Sequence, residues 1–340
     1  MKRHLNTLFV TTQDTWLAKD GECVELRLDG KPLGRIPLHT LQSIVCFGRV
    51  SCSQYLLEHC AGLGVSVTWL TENGRFMAAM RGPTTGNVLL RRAQYRLADS
   101  PEASAGLARS FIIGKVANCR TVLLRQARNA EEPGLGEAAE KLGGILRRLS
   151  HPHDLETVRG MEGDAAHSYF GAFPLLVKRE YREEMRFAGR SRKPPRDEVN
   201  CLLSFFYTLL ANDVRSALEA VGLDPGVGFL HRERPGRPSL ALDLMEEFRP
   251  YLADRLSLTL INRRQITGAD FLRTEVGGVV LKDRARREVL AAWQERKREE
   301  VEHPFLKERM SVGMLCHMQA RLLARYIRGD MDAYPPFAMR

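Results

Sequence analysis

The sequence predicts an α+β protein of two domains, a small β-rich N-terminal domain followed by a larger, mainly α-helical catalytic domain. Three observations predict it. Short runs rich in β-branched and aromatic residues crowd the first eighty positions. A Gly/Pro/Thr/Asn cluster, RGPTTGN at 81–87, breaks the texture. From Val88 onward, helical periodicity takes over. The expected division is 1–82 for the β-rich domain, 83–88 for a linker, 89–330 for the helical domain and 331–340 for a C-terminal tail.

In the first domain the strands are read in TLFV, CVELRL, SIVCF and VSVTWL, with turn signals at KDG, LDGKP and TENG. Asp29-Gly30 reads as a hairpin turn. SQYLLEHCAGLG reads as one intervening helix, with Ser53 near its start and Gly62 or Gly64 at its end. In the second domain, long amphipathic segments begin near Ala103, Glu137, Asp154 and Glu198. A hairpin is expected in FLRTEVGGVVLKD around Gly277-Gly278. RARREVLAAWQERKREEVEHP and SVGMLCHMQARLLARYIRGD close the helical part. The tail DAYPPFAMR is expected to be ordered only if it docks.

The chain has 340 residues, 51 Lys plus Arg against 41 Asp plus Glu, and a formal charge of +10. That balance favours a polyanion such as nucleic acid or an anionic membrane surface. Seven scattered cysteines without a CxxC pair argue against a disulfide framework and a thiolate zinc site. The N-terminus lacks signal-peptide architecture, and no apolar run approaches a membrane span. The expected location is a reducing cytoplasm.

The chemistry concentrates in three places. SLALDLMEEFRP, Ser239 to Pro250, is apolar nearly all round yet holds three acids. As a helix capped by Ser239 it places Ser239, Asp243 and Glu246 on one face. A helix apolar on every side is buried. Buried carboxylates need an arginine partner such as Arg249 or Arg255, or a cation. In RGMEGDAAHSYFGAF, Glu162 shares a face with Ala165, Ala166 and Tyr169, while Asp164 and His167 point elsewhere. His231 stands in the Gly/Pro-rich loop DPGVGFLHRERPGRPS that enters the acidic helix. One imidazole with carboxylates suits Mn²⁺ or Mg²⁺ better than zinc. His151 and His153 in SHPHD read as solvated.

These residues resemble the CRISPR-associated endonuclease/integrase family, the large subunit of the spacer-acquisition complex. The resemblance runs through GMEGDAAHSYFGAF, FAGRSRKPPRDEVNCLLSFFYTLLANDV and GFLHRERPGRPSLALDLMEEFRP in order, and covers essentially the whole chain. Its wording is similar to members of type I-C systems. The resemblance implies that Glu162, His231 and Glu246 are metal ligands, with Asp243 an additional catalytic acid. The last ligand is often Asp in relatives and is Glu here. Glu247 matches no functional position. The implied reaction is attack of a duplex 3′-hydroxyl on a phosphodiester at the edge of a repeat array, with strand hydrolysis as a related activity. The resemblance also implies a homodimer formed through the N-terminal domains, bound to a small ferredoxin-like partner subunit.

Two basic features fit a DNA substrate. Arg186, Arg190, Arg192, Lys193 and Arg196 lie in one Gly/Pro-containing loop, where they can clamp phosphates without reading bases. Arg321, Arg325 and Arg328 form a stripe on one helix face. Two rival readings stand beside this one. The first is a metal-dependent, structure-specific nuclease acting on branched DNA without integration. The second is a non-catalytic DNA-binding scaffold whose acids are paired structurally.

Overall fold

A computed structural model describes residues 6–72, 76–80, 82, 88–128 and 132–339. The chain forms two compact units, Met1–Gly86 and Asn87–Arg340. Most of the expected linker, 83–87, lies outside the described residues, and helix begins again at Val88.

The first unit holds β1 (Asn6–Val10), β2 (Thr15–Asp20), β3 (Cys23–Leu28), β4 (Lys31–Pro37), β5 (Leu41–Phe47), β6 (Val50–Cys52), α1 (Gln54–Leu63), β7 (Ser66–Leu70) and β8 (Phe76–Met80). They make two four-stranded sheets, ordered β1-β5-β7-β8 and β4-β3-β2-β6. β1, β5 and β7 run parallel, and β8 closes that sheet antiparallel. The turn between β3 and β4 uses Asp29 and Gly30, both at positive φ (50° and 76°), as a tight hairpin with right-handed twist requires. Ser53 caps α1 by accepting from the Leu56 N–H, and Gly64 ends it in the left-handed region. Leu17, Val24, Ile44, Leu56 and Val67 share one apolar core.

In the second unit come α2 (Val88–Ala98), α3 (Pro101–Ala127), α4 (Pro133–Leu149), α5 (Leu155–Ala172), α6 (Glu198–Ala220), α7 (Ser239–Met245) and α8 (Arg255–Asn262). A small hairpin follows, β9 (Phe271–Arg273) and β10 (Val279–Leu281), then α9 (Asp283–Arg298), β11 (Glu300–Glu302), β12 (Arg309–Ser311) and α10 (Leu315–Ile327). α3, α4 and α5 pack on one another, and α6 packs against α7 and α10. Asp154 caps α5 and Asp197 caps α6 through their carboxylates. Between α7 and α8 the chain widens into a π-helical stretch, Arg249–Asp254. Such wide turns recur at functional sites.

Two sequence expectations change here, and the condition set for the tail is met. The segment read as helix through EEVEHP leaves the helix after Arg298 and enters the β11–β12 pair. Ser239 is the first residue of α7 and not its cap; its hydroxyl faces the Arg232 carbonyl at 3.4 Å. The tail docks: Tyr334 and Phe337 are buried. Among the described residues no helix is long and apolar enough to cross a membrane.

Candidate active site

Four elements of the helical unit bring the predicted residues together. α5 carries Glu162, α7 carries Asp243 with Glu246 just past its last turn, and the loop before α7 carries His231. The fourth element, α3, supplies a group that sequence reasoning missed. Lys115 is buried, and its ammonium bridges Glu162 and Glu246, lying 2.9 Å from the Glu246 Oε2. Arg249 approaches the other oxygen of Glu246 at 2.9 Å. The wide turn that begins at Arg249 follows Glu246 closely enough for the guanidinium to fold back on it.

Burial by itself would raise the pKa of Glu246. Arg249, Lys115 and His231 outweigh that and bring it down to about 2. Burial likewise works against the Lys115 ammonium, and Glu246 and Glu162 raise its pKa in spite of it. Two acids and two cations therefore form one mutually compensated cluster. Such a cluster tolerates burial because no charge is left alone.

His231 and Asp243 form the second half. Asp243 is fully buried and accepts four hydrogen bonds. The Phe229 and Leu230 N–H groups donate to Oδ2 at 2.6 and 3.0 Å. The His231 N–H donates to Oδ1 at 3.0 Å, and the ring Nδ1 lies 2.6 Å from the same oxygen. A carboxylate at Nδ1 keeps a proton there and leaves the Nε2 lone pair outward. A Cβ on Gly228 would stand 2.8 Å from Asp243 Oδ2, so only glycine lets the loop close over this carboxylate. Arg159 on α5 fixes the same loop by donating from Nε to the Leu230 carbonyl at 2.8 Å.

The structure thus joins Glu162 with Glu246 and His231 with Asp243, with His231 near enough to Glu246 to act on its charge. Among the described residues no three His, Cys, Asp or Glu side chains stand together as a ready metal-ligand group; the cation between Glu162 and Glu246 is the Lys115 ammonium. The donor set nevertheless fits a divalent ion. Two carboxylates already converge on a positive charge, and beside them the Nε2 of His231 makes no hydrogen bond to the described residues. Glu246 Oε2, though ion-paired, is buried without a hydrogen bond. Asp164 and His167 are exposed, as expected. His153 Nε2 lies 2.8 Å from the Arg148 carbonyl.

Behind the cluster, Tyr207 and Tyr169 donate to the buried Asp254 at 2.7 and 3.1 Å, and Arg249 lies over the Tyr207 ring at 4.8 Å. Burial raises the pKa of Asp254 to about 6, against the pull of the two tyrosine hydroxyls, Arg190 and Arg249. A folded-state pKa above the unfolded one favours folding most at low pH. That stabilisation is lost as pH rises from the unfolded value of 3.8 through about 6. Asp254→Asn is therefore expected to flatten the fall in unfolding free energy between pH 4 and 7, on the order of 1–3 kcal/mol. Urea unfolding of both proteins across that range measures it, and equal pH slopes would refute it.

The basic features separate. Arg186, Arg192, Lys193 and Arg196 are exposed, as are Arg321, Arg325 and Arg328 on and just after α10. Arg190 instead turns into the fold. It donates to Asn200 Oδ1 at 2.6 Å and to Ser204 Oγ, and lies over the Tyr207 ring at 5.1 Å. Arg328 is paired with Asp330.

Known proteins share this architecture. The family model described as CRISPR associated protein Cas1 matches residues 8–295. A curated relative from Chlorobaculum tepidum, named CRISPR-associated endonuclease Cas1 1, is 58% identical over the whole of both chains. Among solved structures, a chain of a Cas6-RT-Cas1--Cas2 complex superimposes with a TM-score of 0.85 at 22% identity. It is matched over 100% of this chain and 37% of its own length. A casposase bound to integration product gives 0.83 at 24%, over 98% and 94%. A β-rich unit followed by a helical one is thus a fold shared with these solved structures. The chain belongs to the Cas1 family of CRISPR-associated endonucleases.

Proposed function

We propose that the chain is a divalent-metal-dependent DNA endonuclease and integrase that joins short duplexes into a CRISPR repeat array by 3′-hydroxyl attack on a phosphodiester. The observation that carries this reading is the convergence of Glu162 and Glu246 on one buried positive charge, beside a histidine whose free nitrogen is set by Asp243. Glu162, His231 and Glu246 would hold Mn²⁺ or Mg²⁺. When bound, the ion supplies Lewis acidity to the scissile phosphate and lowers the pKa of the attacking hydroxyl. Asp243 orients the imidazole. Arg249 keeps Glu246 ionised, and Lys115 brings the two acids to one place. The resemblance implies action as a homodimer on double-stranded and branched DNA, with a small ferredoxin-like partner subunit; the solved Cas6-RT-Cas1--Cas2 complex supports assembly with a partner. The casposase bound to integration product supports joining over mere cutting.

The test is joining of a labelled duplex into plasmid with Mn²⁺. Cutting without joining would favour a nuclease of branched DNA. The ion pairs to Lys115 and Arg249 are also what a non-catalytic scaffold would show, since they satisfy both acids unaided. Calorimetry with Mn²⁺ on the wild type separates that reading, which expects no heat of binding at this site.

DNA binding should rest on the exposed cations. Replacing Arg186, Arg192, Lys193 and Arg196 together by glutamine is expected to shallow the slope of log K against log salt. The expected change is about 0.9 for each phosphate that the loop no longer neutralises. Arg190→Gln should instead lower the unfolding midpoint with little change in slope, because its partners lie inside the fold. Fluorescence anisotropy from about 50 to 300 mM salt reads both slopes, and thermal unfolding reads the midpoint. An unchanged slope in the quadruple variant would remove the loop from the DNA interface.

A further inference from the structure

The segment Tyr334–Met339 runs beside the acidic cluster, and its hydrogen bonds fall on the residue next to Glu246. Tyr334 donates its hydroxyl to Glu247 Oε1 at 2.8 Å. The Phe337 N–H donates to Glu247 Oε2 at 2.8 Å, and Gln319 of α10 donates to the same oxygen at 2.9 Å. Gln319 also lies 2.7 Å from the Tyr334 hydroxyl. Glu247 is fully buried, so these donors replace the water it has lost.

The same segment grips α3. The Asn118 amide donates to the carbonyls of Glu247 and Phe337 at 2.7 and 2.9 Å, and its oxygen accepts from the Met339 N–H at 2.8 Å. Asn118 stands one helical turn beyond Lys115, which holds Glu246 and Glu162. A Cβ on Gly114 would meet the Glu247 Cγ at 3.0 Å and the Phe337 carbonyl at 3.2 Å, so α3, the acidic turn and the tail pack tightly against one another. The Phe337 ring packs on Phe248 and Tyr251, two and five residues past Glu246. Pro335 and Pro336 restrict the free segment, which reduces the entropy lost on docking.

We infer that the C-terminal segment is a positioning element of the active site. By clamping Glu247 and Asn118, it fixes where the neighbouring Glu246 carboxylate and the Lys115 ammonium stand. α7 ends at Met245, so Glu246 has no further turn of regular α-helix to hold it. The tail supplies that constraint from outside. Metal affinity at Glu162, His231 and Glu246 therefore depends on residues that never touch the metal. This inference rests on the functional reading above.

The test is Mn²⁺ calorimetry on the full chain, on the chain ending at Ala333, and on Tyr334→Phe, each with its unfolding midpoint. The truncated chain is expected to bind Mn²⁺ about 10–100-fold more weakly, the range for loss of a group that orients a metal ligand. A synthetic peptide of residues 331–340 should restore most of the affinity. Tyr334→Phe removes one donor while keeping the ring, and should lose affinity several-fold in a folded protein. If truncated and full-length chains bind Mn²⁺ equally, the tail is structural only and the inference fails alone. If truncation prevents folding, Tyr334→Phe decides: unchanged affinity overturns the inference and weakened affinity supports it. If the intact chain binds no Mn²⁺, the functional reading fails and the inference falls with it.

Discussion

Replacing Glu246 by glutamine is expected to lower Mn²⁺-dependent DNA cleavage and joining by on the order of 10²–10³-fold or more. Glutamine keeps the shape of the side chain and removes its charge. Glu246 is the acid on which most of the cluster depends. It is almost fully buried, it pairs with both Lys115 and Arg249, and those partners with His231 hold its pKa at about 2. Neutralising it removes the carboxylate proposed to hold the ion and leaves two buried cations facing Glu162. The second consequence makes alanine a poor test of chemistry, because breaking a buried pair typically costs about 3–5 kcal/mol. The glutamine variant needs its unfolding midpoint measured beside its single-turnover cleavage rate. Asp164→Asn, an exposed change on α5, serves as the control and should retain the wild-type rate. Full activity in a folded Glu246→Gln protein would end the assignment of this site.

The acids are legible in the sequence because SLALDLMEEFRP leaves them no solvent face. A carboxylate amid leucines on every side is buried wherever the helix packs, and Asp243 and Glu246 are. Lys115 is not legible. It is one of four basic residues in the long helix α3, and its partners are 47 and 131 residues away in sequence. Only packing reveals that SFIIGKVANC carries a lysine where the helix has no exposed side. Glu247 matches no functional position of the family, and its buried contacts with the tail are not legible in the sequence, for a physical reason. Periodicity of 3.6 holds only while the helix lasts. α7 stops at Met245 and the chain passes into a wider turn, so Glu247 faces the tail. Arg190 shows the limit of composition. A Gly/Pro loop full of arginines reads as solvated, yet Asn200, Ser204 and Tyr207 on α6 capture this one. In the first unit β4 is hard to read because KPLGRIP carries two prolines and a glycine. It survives as an edge strand, where a missing ladder donor is tolerated.

Asp243→Asn should separate orientation from ligation. The carboxylate uses both oxygens as acceptors: Oδ2 for the Phe229 and Leu230 N–H groups, Oδ1 for the His231 N–H and Nδ1. An amide has only one acceptor oxygen. If that oxygen stays with Phe229 and Leu230, the NH₂ group confronts the His231 N–H and Nδ1. The ring can then accept at Nδ1 only by moving its proton to Nε2, the nitrogen proposed to face the metal. If the amide flips, it opposes two backbone donors in a fully buried pocket. That costs on the order of 1–3 kcal/mol for each donor left unpaired. Either arrangement damages the site, in different ways. The first gives a folded protein with the wrong histidine tautomer, and the second a loosened loop. We expect the first, with Mn²⁺ affinity down about 10–100-fold and cleavage down further, because the tautomer also sets ring orientation. ¹⁵N chemical shifts of the His231 ring report the tautomer, and amide exchange at Phe229–His231 reports the loop. An unchanged tautomer together with unchanged Mn²⁺ affinity would show that Asp243 holds the loop and nothing more.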